Sequence, residues 1–274
     1  MQKIETFSAN SDDLLWEISE LAGHYHVTCL HAGLGLAGSG FALLKETAKK
    51  KAFAELNERF IVDQLNSSDA KSEWVLNFDE SCSGFAVGYT KSKAVLRAVC
   101  EGSERWALSK WVDEHFALEE VSFVTTSPVA AAIRHFFTGF SVYKNEVPVM
   151  LDNNVLKVQI AVALGWSDKG VFAGYGSKLN LEDAMDHAFV EALRNFLIYR
   201  NQRERSSFPY NRIKFFAENK DVALEVLCKS KRAMSQLPVL KLLKAEQFGD
   251  LWIARAVFDG WTPWQRESIS RFLY

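Results

Sequence analysis

The sequence predicts a mixed α/β (α+β) fold, read as one domain (1–274) of three glycine-to-helix units packed with β-sheets. Three observations predict it. A glycine leads into a helix bearing A-x-x-x-A-x-x-E three times: Gly40 with Ala48, Ala52 and Glu55; Gly88 with Ala94, Ala98 and Glu101; Gly176 with Ala184, Ala188 and Glu191. Apolar runs rich in β-branched residues, above all VLKVQIAVALGW (155–166), read as strands. No linker or low-complexity stretch splits the 274 residues, a length that buries a substantial core.

In chain order, SDDLLWEISELAG (11–23) is expected to be a helix, capped by Ser11 and ended by Gly23. HVTCLHAGLGLA (26–37) reads as a strand entering a glycine-rich stretch, without the spacing or acidic partner of a dinucleotide fingerprint. A long helix follows Gly40, then a polar loop (66–73) and a short strand, WVLNF (74–78). The stretch SCSGFAVGYTKSKAVLRAVCEGSERWALSKW (81–111) opens on small residues and becomes the second repeat helix. VAAAIRHFFTGF (129–140) predicts a helix, residues 141–154 strand-like runs broken at Pro148, and DKG (168–170) a turn. The third repeat helix follows VFAGYGS and ends at RSSFPY (205–210). Residues 220–237 predict a helix, 248–261 a strand pair or a strand and turn, and 262–274 a packed tail.

Hydrophobic residues make up 48% and charged residues 24%, an ordinary globular balance. The net charge of −2 argues against broad electrostatic binding to nucleic acid. No apolar run reaches the ~18 residues of a membrane span. MQKIETFSANSDD has no apolar signal region, so a cytoplasmic protein with reduced thiols is expected. Cys29, Cys82, Cys100 and Cys228 show no metal-ligand spacing. His24, His26 and His31 cluster in sequence, but strand alternation puts them on mixed faces.

The repeat carries the chemistry. Glu58 stands three after Glu55 and Glu104 three after Glu101, so each pair shares a helical face, with Arg59 and Arg105 next in sequence. The third helix has Arg194 three after Glu191 instead. Small alanines let other groups approach these faces closely. Were the helices to converge, Glu55, Glu58, Glu101 and Glu104 would bring four carboxylates together, which is costly unless cations relieve them. Mg²⁺ takes hard oxygen ligands and usually comes with phosphates, so a Mg–nucleotide site is the economical reading. The alternative stays open at this point: each glutamate pairs locally with Arg59, Arg105 or Arg194 on three separate solvated faces.

The repeat stretches resemble the YcaO family. SCSGFAVGYTKSKAVLRAVCEGSERWALSKW is similar to that family's S-N-G-x-A-x-G stretch and its E-x-x-E-R helix, AKKKAFAELNERF to the earlier E-x-x-E-R helix, and AGYGSKLNLEDAMDHAFVEALRNF to the later G-x-G…A-x-x-x-A-x-x-E segment. The similarity covers roughly residues 26–200. It implies a YcaO-like domain that binds ATP and Mg²⁺ and activates a backbone amide of a peptide or protein by phosphorylating its oxygen, leading to an azoline or thioamide. It implies Glu55, Glu58, Glu101 and Glu104 as metal–nucleotide carboxylates, Glu101, Glu104 and Arg105 in catalysis, and Arg105, Glu191, Arg194 and Ser83 against the nucleotide. The chain departs from the pattern at Ser83 (commonly Asn), Arg194 (usually Gln) and Phe196 (usually Arg), and has a single proline in its tail, Pro263. A partner protein delivering the substrate is expected, and a homodimer stays open. The competing expectation is a catalytically reduced scaffold that presents substrate to an active partner.

Overall fold

The structure is a computed structural model, and it describes residues 13–21, 23–122, 128–201, 208–228 and 237–263. These residues fall into two compact units, one of residues up to 102 with 241–257, the other of 103–240 with residues from 258 onward.

The first unit holds two small antiparallel sheets. In one, β1 (Leu14–Leu21), β2 (His24–His31) and β3 (Leu36–Ala42) lie in that order. Helix α1 (Lys45–Asn66) covers it, burying Ala48, Ala52 and Leu56 against Val27 and Cys29. In the other, β4 (Phe85–Gly88), β10 (Leu251–Phe258) and β9 (Leu240–Phe248) lie in that order. Its core joins Phe85, Val87 and Ile253 to Ile61, Val62 and Leu65 of α1 and to Trp74 and Leu76.

Of the helix expected over 11–23, residues 14–21 are instead a strand. Leu14, Trp16 and Ile18 alternate, and residues 14–21 pair over their whole length with 24–31. Gly23, at φ +78°, makes the turn between them, so it closes a hairpin rather than a helix. Ser11 lies outside the described residues. WVLNF is also not a strand: residues 73–78 are a run of turns, with Val75 at φ +56°.

Helix α2 (Lys91–Asp113) begins in the first unit and continues into the second; Thr90 Oγ1 accepts from Lys93 N–H at its start. The second unit is built on one antiparallel sheet ordered β5 (Glu119–Val121), β6 (Gly139–Leu151), β7 (Asn154–Ser167) and β8 (Gly170–Lys178). The 155–166 run is the β7 core, with residues 160–164 fully buried. Helix α4 (Leu181–Asn201) packs on β8 and β7, and its start is capped by Asn180 Oδ1, which accepts from Glu182 N–H at 2.7 Å. Helix α5 (Phe208–Glu218) also packs on β8, so part of the expected RSSFPY break is helical. Helix α6 (Lys220–Cys228) is the described part of the helix expected over 220–237. Residues 129–140 shorten to α3 (Pro128–Ile133) and one 3-10 turn before β6 begins. Pro148 lies inside β6 rather than breaking it. Among the described residues β6 pairs at that point only with β7, because β5 reaches only Val142–Lys144, so the missing N–H disrupts no ladder on the outer side. Among the described residues, no helix is long and apolar enough to cross a membrane.

Candidate active site

The glycines and alanines of the repeat meet face to face. A Cβ on Gly38 would stand 2.1 Å from Ala52 O, and one on Gly40 2.0 Å from Ala48 O. In the second unit the same construction recurs: a Cβ on Gly174 would stand 2.0 Å from Ala188 O, and one on Gly176 2.0 Å from Ala184 O. Strand backbone therefore lies directly on helix backbone, which the missing side chain of glycine permits. The middle copy is tighter in sequence. A Cβ on Gly88 would stand 2.9 Å from Ala94 N, and Ala86 stands two residues before it.

In the first unit this packing gathers acids on α1 and α2. Glu55 accepts from Ser39 N–H at 2.9 Å and Ser39 Oγ–H at 3.1 Å through Oε2, and from Arg59 at 2.6 Å through Oε1. Glu55 in turn holds the Arg59 guanidinium above its ordinary value. Glu58 is half-buried and makes no hydrogen bond or ion pair to a described residue. Burial pushes its carboxyl up to about 8; Arg97 opposes this, Glu101 and Glu55 add to it, and Arg59 opposes it. Arg97, one turn before Glu101 on α2, donates to Val87 O at 2.6 Å. Cys82 borders the same group, and its thiol is pushed up to about 12, mainly by burial and then by Glu58.

Ser83 sits in the loop that leads into β4. Asp79 Oδ1 accepts from Ser81 N–H at 2.9 Å and Ser81 Oγ–H at 2.6 Å, and Ser81 Oγ accepts from Ser83 N–H at 3.1 Å. Arg255, fully buried on β10, fixes this loop by donating to Trp74 O at 2.5 Å and Asp79 O at 2.7 Å. Its guanidinium lies 4.6 Å over the Phe85 ring, and burial pushes it down to about 10.

In the second unit Glu104 is buried, with Arg105 Nη2 at 3.7 Å. Glu191 Oε2 accepts from Tyr175 N–H at 2.7 Å, and its Oε1 lies 3.5 Å from Arg194 Nη2. The structure thus brings Glu55, Glu58, Arg59 and Glu101 together in one unit, and pairs Glu104 with Arg105 and Glu191 with Arg194 in the other. Sequence reasoning missed Arg97, Cys82 and Arg255. Arg97 had a usable signal, its position four before Glu101.

A family signature described as YcaO cyclodehydratase, ATP- and Mg²⁺-binding, matches residues 68–250, more than half of the chain. The chain belongs to the YcaO family. YcaO from Methanopyrus kandleri bound with AMPPCP and Mg²⁺ shares its fold, with a TM-score of 0.59 at 10% identity over 90% of this chain and 86% of that one. A heterocyclase in complex with substrate and cofactor gives 0.58 at 13% identity over 90% of this chain, which spans about half (49%) of that protein. No curated protein matches.

The YcaO fold and the residues present agree on Mg²⁺. Among the described residues no three His, Cys, Asp or Glu side chains form a ready-made metal cage, at His24, His26 and His31 or elsewhere. Mg²⁺ does not need one, since it keeps waters and phosphate oxygens and takes one or two protein carboxylates. A half-buried carboxyl held neutral by burial and two neighbouring acids, with guanidinium groups beside it, is the environment that a hydrated cation and phosphates would complete. Of the YcaO departures, Phe196 is core: it is buried, with ring centroids 5.4 Å from Phe137 and 5.3 Å from Phe172.

Proposed function

We propose that this YcaO protein uses ATP and Mg²⁺ to activate a backbone amide of a peptide or protein, by phosphorylating its oxygen, toward an azoline or thioamide. The observation that carries this is the Glu58 environment: a carboxyl pushed up to about 8 among Glu101, Glu55, Arg97 and Arg59 in a chain of an ATP- and Mg²⁺-binding family. An amide oxygen is a poor leaving group, and bound Mg–ATP supplies the phosphoryl group that makes it a good one. The residues supply binding and charge. Glu58 and Glu101 offer hard oxygens to Mg²⁺, and Glu104 continues that face of α2. Arg97 and Arg59 place positive charge beside Glu58, where phosphate oxygens would otherwise meet only acids. By the resemblance, Arg105 and Arg194 face phosphate and Ser83 borders the nucleotide. Glu55 and Glu191 are already engaged by backbone amides and arginines.

The substrate is a ribosomally made peptide or a protein, delivered by a separate partner protein in the cytoplasm. That the heterocyclase sharing this fold is in complex with a substrate supports an enzyme rather than a scaffold. The test is calorimetric titration of ATP with and without Mg²⁺ on the wild type and Glu101→Ala. Mg²⁺-dependent binding that the substitution abolishes is expected. Its absence in the wild type removes the enzymatic reading and leaves the substrate-presenting scaffold.

A further inference from the structure

Residues 38–55 and 174–191 are one arrangement built twice. In each, a Gly-x-Gly segment lies on an edge strand, β3 in one sheet and β8 in the other. In each, both glycines rest against the carbonyls of two helical alanines one turn apart. In each, the glutamate of A-x-x-x-A-x-x-E reaches the amide of the residue between the glycines: Glu55 takes Ser39 N–H at 2.9 Å, and Glu191 takes Tyr175 N–H at 2.7 Å. In each, the other carboxylate oxygen faces an arginine of the same helix, Arg59 at 2.6 Å and Arg194 at 3.5 Å.

The pattern has a physical reason. An edge-strand amide has no further strand to receive it, and the helix lying on the glycines shields it from water. A buried donor without an acceptor is costly, because it gives up its hydrogen bond to water and gains none. A carboxylate two turns from the first alanine supplies the acceptor, and the following arginine balances its charge. Each oxygen of each acid thereby faces a partner inside the protein.

We propose that Glu55 and Glu191 are positioning residues. Each locks an edge strand to its repeat helix, and neither is a metal ligand. Metal-facing duty then falls to the second acid, Glu58 in α1. The functional part of this inference rests on the nucleotide site proposed above, while the backbone lock rests on the hydrogen bonds alone.

Four variants of the full chain separate the roles: Glu55→Gln, Glu55→Ala, Glu191→Gln and Glu191→Ala. A glutamine still offers a carbonyl oxygen to the amide but is a poor Mg²⁺ ligand. An alanine offers nothing. The readouts are hydrogen exchange at the Ser39 and Tyr175 amides and calorimetric binding of ATP with Mg²⁺. Both Gln variants are expected to keep slow exchange and to bind Mg–ATP within about threefold of the wild type. The Ala variants are expected to exchange about tenfold faster or more at the released amide. Gln variants that lose about thirtyfold or more in Mg–ATP affinity while exchange stays slow would overturn the proposal in favour of ligation. Equal exchange in wild type, Gln and Ala variants would overturn the lock itself. A wild type without Mg²⁺-dependent binding removes the nucleotide site, and the exchange comparison then decides the lock by itself. Should the Ala variants fail to fold, fast exchange in the Gln variants would still refute it.

Discussion

Replacing Glu58 by glutamine removes a carboxyl that burial pushes well above the usual carboxylate range. Its folded carboxyl titrates near 8 against an ordinary 4.5, with burial as the main cause. The sign follows from which state loses the proton first. Below pH 4.5 both folded and unfolded states hold it, and Glu58 costs nothing. Between 4.5 and about 8 the unfolded chain has ionised while the folded one has not, so stability falls as pH rises. Above that window both are ionised and the full penalty applies. At about 1.4 kcal/mol per pH unit the interval sets a ceiling of about 5 kcal/mol for the ligand-free protein. Urea denaturation from pH 4 to pH 9 measures it (both values being about the ends of the titration window). Glu58→Gln should match the wild type at the acidic end and be more stable by up to about 5 kcal/mol at the alkaline end. Added Mg–ATP should raise the wild type at alkaline pH and leave the variant nearly unmoved, so the substitution gains stability and loses binding. Parallel stability curves through the whole window would refute the reasoning, because they would mean that Glu58 ionises freely in the folded protein.

Three further outcomes are expected. Gly176→Ala places a Cβ 2.0 Å from Ala184 O and should destabilise the second unit by about 3 kcal/mol or more, read by urea unfolding. Arg255→Met keeps the apolar contact with Phe85 but strips Trp74 O and Asp79 O of their donors, and should cost about 3 kcal/mol in the same assay. Cys82, with its thiol pushed from 9.0 to about 12, should react with iodoacetamide at neutral pH about a thousandfold more slowly than in the unfolded chain, as followed by mass spectrometry.

What the sequence shows and what it hides follow from how far each constraint reaches along the chain. The repeat was legible because its requirement is local. Strand backbone this close to a helix needs glycine, and the eight-residue step from Gly40 to Ala48 recurs from Gly176 to Ala184. The strand β1 was not legible, because its acidic residues and Gly23 satisfy the rules for a helix, and only pairing with β2 overrides them. The turns at 73–78 depend on Arg255, more than 170 residues away, which no local pattern announces. Pro148 misled for the opposite reason: the rule against proline in strands holds for a strand with partners on both sides, and β6 has one there.

The acids divide along the same line. E-x-x-E reads as a pair because residues three apart are neighbours on a helix. Neighbours still differ in direction by about 60°, since three residues fall short of a full turn of about 3.6. On α1 that difference suffices to aim Glu55 at the edge of β3 and Glu58 into the group formed with Arg97 and Glu101. Which acid takes which part depends on the side where the strand lies. The Gly-x-Gly before each helix marks that side, so the glutamate spaced to reach the amide between the glycines can be picked out in the first and third copies from sequence. In the middle copy, Ala86 replaces the first glycine and the step to Ala94 is two residues shorter, so Glu101 does not inherit Glu55's task by position alone.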